Sequence, residues 1–98
     1  MSKSKLKLGR IVATPGALGA IDRSYMLQCL NKHRSGDWGC LCQEDKELNT
    51  EALSYGGRIM SAYPINPKVP CVGPTEHTFW IITEADRSVT TFLLPEEY

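Results

Sequence analysis

No apolar run in the sequence approaches the roughly 20 residues that cross a bilayer, so no membrane partner is expected. Gly-rich phosphate loops, HExxH pairs and GxSxG elbows are also absent, and with them the common local signatures of nucleotide binding, zinc hydrolysis and serine hydrolysis. No cofactor is implied. The first residues, Met1 to Lys7, carry the cations of a secretory signal without the apolar stretch that must follow them. A cytoplasmic location is therefore expected, with the four cysteines reduced.

What remains is a chain of 98 residues, 42% apolar and 22% charged, which reads as one globular domain over 1–98 with residues 1–7 as a flexible basic arm. Its eleven basic and eleven acidic residues are not mixed evenly. Up to Arg34 seven basic residues face only Asp22, and from Ser35 onward four basic residues face ten acidic ones. An acidic remainder argues against strong general nucleic-acid binding by the folded part.

Leu8 to Ala13 reads as a strand, and Thr14-Pro15 as the cap and first residue of a brief helix weakened by Gly16 and Gly19. Ser24 is expected to cap a helix whose apolar residues Met26, Leu27 and Leu30 share one side, with Gly36 ending it. A further helix over Gln43 to Tyr55 has Glu44 and Asp45 at its positive end and Gly56-Gly57 as its stop. Leu41, Leu48, Ala52 and Tyr55 form its expected buried stripe. From Arg58 the apolar period becomes two: Arg58 to Tyr63, Thr78 to Thr83 and Val89 to Leu94 read as strands, the last two joined as a hairpin. Four prolines in the fourteen residues from Pro64 to His77 exclude a central strand there. The expected fold is α+β, in the order β-α-α-β-β-β, with a mainly antiparallel sheet and helices packed on one face.

Cys29, His33, Cys40 and Cys42 are candidate zinc ligands, with Cys71 and His77 elsewhere in the chain. The single residue between Cys40 and Cys42 falls short of the usual ligand spacing. Small buried thiols are the favoured account, and a small zinc-binding module remains as an alternative. Cys42, at a helix start, is the best nucleophile candidate, but Glu44 and Asp45 beside it oppose thiolate formation; no catalytic residue is assigned. Glu44, Glu47 and Glu51 line one flank of the third helical segment. They form an acidic strip suited to a basic partner surface, with Asp37, Glu84, Asp86, Glu96 and Glu97 as extensions. Trp38, between Gly36-Asp37 and Gly39, is a candidate binding anchor or a cap on the core.

Leu8-Gly9-Arg10-Ile11-Val12-Ala13-Thr14-Pro15-Gly16-Ala17-Leu18, Gly36-Asp37-Trp38-Gly39, Glu44-Asp45-Lys46, Trp80 to Thr91 and Leu93 to Tyr98 resemble a family of small bacterial proteins carried on plasmids and other mobile elements. Its members are often labelled plasmid-related proteins or type I restriction endonuclease M subunits. The chain departs from that pattern in the proline-rich segment and in its cysteines. A methyltransferase activity does not carry over, because 98 residues without a parallel-sheet pattern hold no cofactor-binding domain. The resemblance implies a mobile-element setting, where small proteins often neutralise host defence by binding. The expected function is thus a non-enzymatic protein-binding factor, an anti-CRISPR or anti-restriction inhibitor of a nucleic-acid-handling defence protein or ribonucleoprotein complex. The sequence is compatible with a homodimer. The order of elements also matches toxins of the RelE and ParE group, but Arg58, Lys68 and Arg87 are few cations for a ribonuclease.

Overall fold

In the computed structural model, which describes residues 6–70, 73 and 77–98, the first strand begins at Arg10 and not at Leu8. Gly9 is the reason. Its φ of 64° is left-handed, and a Cβ there would press into the Ser88 carbonyl, so the chain bends before entering the ladder. The strand β1 (Arg10–Ala13) is followed by α1 (Pro15–Ala20), α2 (Arg23–Arg34), α3 (Gln43–Tyr55), β2 (Ile59–Pro64), β3 (Thr78–Thr83) and β4 (Val89–Leu93). A short 3-10 turn spans Pro95–Glu97. The architecture is α+β, with one short helix more than the expected order counts. The basic arm up to Lys5, Cys71, Val72 and residues 74–76 lie outside the described residues.

The sheet runs β1-β4-β3-β2. β2, β3 and β4 are antiparallel neighbours, whereas β1 lies parallel to β4 with Ile11 opposite Thr90. This mixed sheet is mainly antiparallel. Its alternation puts Tyr63, Phe79, Ile81 and Phe92 on the face that receives Ala17 and Ile21 from the α1 segment and Met26 and Cys29 from α2. Phe79 is fully buried and meets the rings of Tyr25, Tyr63 and Phe92 at centroid distances of 6.1, 5.8 and 6.2 Å.

Local chemistry sets the helix bounds. Thr14 caps α1 by accepting the Ala17 N–H at 3.2 Å. Asp22, not Ser24, caps α2: its carboxylate accepts the Tyr25 N–H at 3.2 Å, and an anion also suits the positive end of the helix. α3 has the expected bounds and ends at Gly56, with φ 91°.

The buried side of α3 differs from the expected stripe. Leu41 and Ala52 are buried, but Leu48 is 58% exposed and Tyr55 73%. The position between the buried ones is taken by Asn49, whose carboxamide donates to the Met60 carbonyl at 2.7 Å and accepts the Met60 N–H at 3.2 Å. A polar residue thus turns the helix, because its two hydrogen bonds are made only when it faces β2. α3 lies against β2, and a second cluster of Leu6, Trp38, Leu41, Ala52, Ile59 and Ala62 forms there.

Trp38 belongs to that cluster and is buried, so it caps the core and offers no exposed anchor. Its indole Nε1 has no hydrogen-bond partner among the described residues. Replacing such a group by an apolar one recovers its desolvation penalty. Trp38→Phe is therefore expected to lower stability by less than ~2 kcal/mol, well below the usual loss for truncating a large buried aromatic. Urea denaturation of the variant measures this.

Candidate functional site

On an α-helix, positions 44, 48, 51 and 55 fall on one face. On α3 these are Glu44, Leu48, Glu51 and Tyr55, all exposed, with exposed Glu47 on the flank. The apolar residues that failed to pack against the sheet stand between the acids. Glu47 Oε2 accepts the Gln43 side-chain amide at 3.4 Å, a contact within the helix, and Glu44 and Glu51 make no hydrogen bond or ion pair among the described residues. The surface is a pair of apolar side chains bordered by Glu44, Glu47 and Glu51, with the Arg58 cation beside Leu48 in a shared surface pocket, the pattern of an interface with apolar contacts and a charged rim.

The other acidic residues divide between this surface and the rest of the fold. The β3–β4 turn, with Glu84 and Asp86, lies beside the C-terminal end of α3, because Arg87 in the same turn reaches that end. Its guanidinium donates to the carbonyls of Gly57 at 2.6 Å and Ala52 at 3.4 Å, a cation on the negative end of the helix. Asp86 accepts the Ser88 hydroxyl at 2.6 Å and its N–H at 3.0 Å; these bonds hold its carboxyl below the usual range and shape the turn. Asp37 turns its carboxylate toward the Gly39 N–H, at 3.4 Å.

Glu97 serves another purpose. Its carboxylate accepts the Thr14 hydroxyl, the Leu94 N–H at 2.9 Å and the Gly16 N–H at 3.1 Å, which together hold its carboxyl below the usual range. It ties the last turn to the start of α1, at the end of β4 opposite to Asp86, and exposed Glu96 sits with it. The acids expected to extend one strip are thus found at both ends of the sheet.

The expected metal ligands are not gathered. Among the described residues no group of three or more His, Cys, Asp or Glu is arranged to hold a metal ion. His33 is buried with both ring nitrogens occupied, Nδ1 by Ser61 Oγ at 2.6 Å and Nε2 by Thr83 Oγ1 at 2.8 Å. Burial pushes the Cys29 thiol up, away from the thiolate that a ligand or nucleophile requires. Cys40 is disulfide-bonded, whereas Cys29 and Cys42 are free. This corrects the expectation that all four cysteines are reduced, and it removes Cys40 as a thiolate ligand. Cys42 is exposed at the N-cap of α3, and His77 is exposed on the entry to β3.

Two of the three cations that a ribonuclease reading calls on are used elsewhere. Arg87 holds the end of α3. Arg58 donates to the Tyr98 hydroxyl at 2.7 Å and lies 5.5 Å from the centroid of that ring. Lys68 is exposed in the turn after β2. No helix among the described residues is long and apolar enough to cross a membrane. Comparison with family models, curated proteins and solved structures returned no match.

The residues missed by sequence reasoning are Leu48 and Tyr55. Their signal was Asn49: a side chain able to satisfy a strand edge competes with leucine for the inward side of a helix.

Proposed function

We propose that the chain is a non-enzymatic protein-binding factor of a mobile element, an anti-restriction or anti-CRISPR inhibitor, and that the outward face of α3 docks on its target. The observation that carries this reading is the set Glu44, Leu48, Glu51 and Tyr55 on one helical face, two apolar side chains that the fold leaves in solvent within an acidic frame. A nucleic-acid-handling complex exposes cationic surface where it holds its substrate, and an acidic face competes for that surface by charge complementarity. Leu48 and Tyr55 supply the desolvated contact that charge alone does not.

The test is a transformation assay in cells carrying a restriction or CRISPR system. Cells expressing the chain are expected to admit targeted DNA more efficiently, without growth arrest. The triple reversal Glu44→Lys, Glu47→Lys and Glu51→Lys, and separately Leu48→Asp, are expected to abolish protection while circular dichroism stays unchanged. Protection that survives both variants would sink the docking face. Growth arrest with messenger RNA cleavage would favour the toxin reading instead.

A further inference from the structure

The two edges of the sheet are treated differently. On β2 the residues whose backbone faces away from β3 are Met60, Ala62 and Pro64, by the register Ile59 to Thr83 and Ser61 to Ile81. All three are satisfied. The Asn49 carboxamide takes both groups of Met60. The main chain takes those of Ala62, through the Cys40 N–H at 2.7 Å and the Trp38 carbonyl at 3.3 Å. Pro64 has no N–H, and its carbonyl accepts the Tyr25 hydroxyl at 2.7 Å.

β1 has no such cover. Arg10 and Thr14 donate inward, to the Ser88 and Phe92 carbonyls at 3.0 Å each, so the alternation turns the N–H and C=O of Ile11 and Ala13 outward. Among the described residues nothing pairs with them. Beside this edge runs an apolar groove of about 460 Å³ lined in part by Ile11, Leu18, Leu27 and Leu30, of which Ile11, Leu18 and Leu27 are 44%, 43% and 63% exposed. A bare edge beside exposed leucines invites another strand.

We infer that the occupant is a second copy of this chain, its β1 pairing antiparallel with the first about a two-fold axis at Val12. Three observations select this partner and this register. The bend at Gly9 and the missing N–H of Pro15 confine pairing to residues 10–14, whose midpoint is Val12. Pairing about that midpoint sets Ile11 opposite Ala13 of the other copy, a large side chain against a small one, on the side of the groove. It also sets Arg10 opposite Thr14, the residue whose hydroxyl holds the Glu97 carboxylate. Each copy therefore presents a cation where the other presents an anion, and along the paired residues 10–14 no like charges stand opposite each other. Two four-stranded sheets become one of eight strands, and the leucines of both copies face the joined groove.

Sedimentation equilibrium of the whole chain at tens of micromolar tests this, with the dimer mass expected. Ile11→Lys places a charge on an already exposed position and is expected to raise the dimer dissociation constant at least tenfold; Ala13→Pro, which removes an outward N–H and takes no hydrogen bond from the β1–β4 ladder, is expected to do the same. Circular dichroism of each variant reports whether it folds. Register is read from Val12→Cys in a Cys42→Ser background: the two residues at the axis form a close, non-hydrogen-bonded pair, so mild oxidation is expected to give a covalent dimer. A chain that stays monomeric at 100 µM, a dimer indifferent to Ile11→Lys, or no cross-link at Val12→Cys overturns the inference.

Discussion

Acidification from pH 7.5 to pH 4.5 is expected to lower folding stability by about 2 to 3 kcal/mol, with His33 as the source. The imidazole is buried in a line of hydroxyls whose directions are set from one end. Thr90 Oγ1 donates to the Leu8 carbonyl at 2.7 Å, so it accepts from Thr83 Oγ1 at 2.8 Å. Thr83, its proton committed, accepts from His33 Nε2–H, and Ser61 donates to the bare Nδ1. Every position in the line suits a neutral ring. Burial accordingly lowers the His33 pKa from 6.5 to about 4. The unfolded chain binds a proton near 6.5 that the folded chain refuses until about 4, so stability is complete above the first value and declines as pH falls between the two. Asp86 and Glu97 act lower down: their carboxyls are depressed in the fold, so their contribution is full above the ordinary carboxylate range and is lost as pH falls through and below it, adding to the His33 loss only at the acid end of the series. Urea midpoints at pH 7.5, 6, 5 and 4.5 resolve the effect. His33→Gln is expected to be less stable at pH 7.5 and nearly flat across the series. A wild-type midpoint that does not move above pH 4.5 would refute the assignment.

Gly39→Ala is expected to cost about 3 to 4 kcal/mol, a large share of the 5–15 kcal/mol typical of a domain. Two penalties combine. Gly39 has a φ of 71°, which costs an L-residue roughly 1–2 kcal/mol. A Cβ there would also overlap the Ala62 carbonyl oxygen, the acceptor of the Cys40 N–H. Relieving that overlap parts the bridge between the 38–40 segment and β2, at about 1 kcal/mol for each hydrogen bond lost and more if Ala62 is left unpaired. Gly56 is the natural control. Its φ of 91° is also left-handed, but nothing lies within 4 Å of a Cβ built on it, so Gly56→Ala is expected to lose only about 1 kcal/mol. Equal losses at the two glycines, read from thermal or urea unfolding, would show that the strand contact adds nothing.

Most of the secondary structure was legible because its signals are local. The change to a period of two marked all three C-terminal strands, and Gly56 stopped α3 where expected. Gly9 shortened β1 through a contact with Ser88, which lies far along the chain and leaves no trace nearby. The candidate site was half legible. Glu44, Glu47 and Glu51 share a helix flank by spacing alone, but the exposure of Leu48 and Tyr55 depends on Asn49 finding the outer edge of β2. Glu97 read as one more acidic surface residue, and only the folded chain brings it to Thr14 and Gly16. His33 reads as a metal-ligand candidate in the sequence, because its two hydroxyl partners, Ser61 and Thr83, come from strands that a sequence does not place beside it.

The pairing of β1 with β4 joins the earliest strand to the latest. During synthesis β1 leaves the ribosome with no strand beside it, and β2, β3 and β4 must follow before its ladder can form. The hairpin of β3 and β4 is the local step, whereas docking β1 closes a loop of nearly the whole chain. Sheet completion therefore waits for β4 to emerge, and until then Ile11 and Val12 travel as a short apolar stretch without a partner strand, an interval open to chaperones and to misassembly.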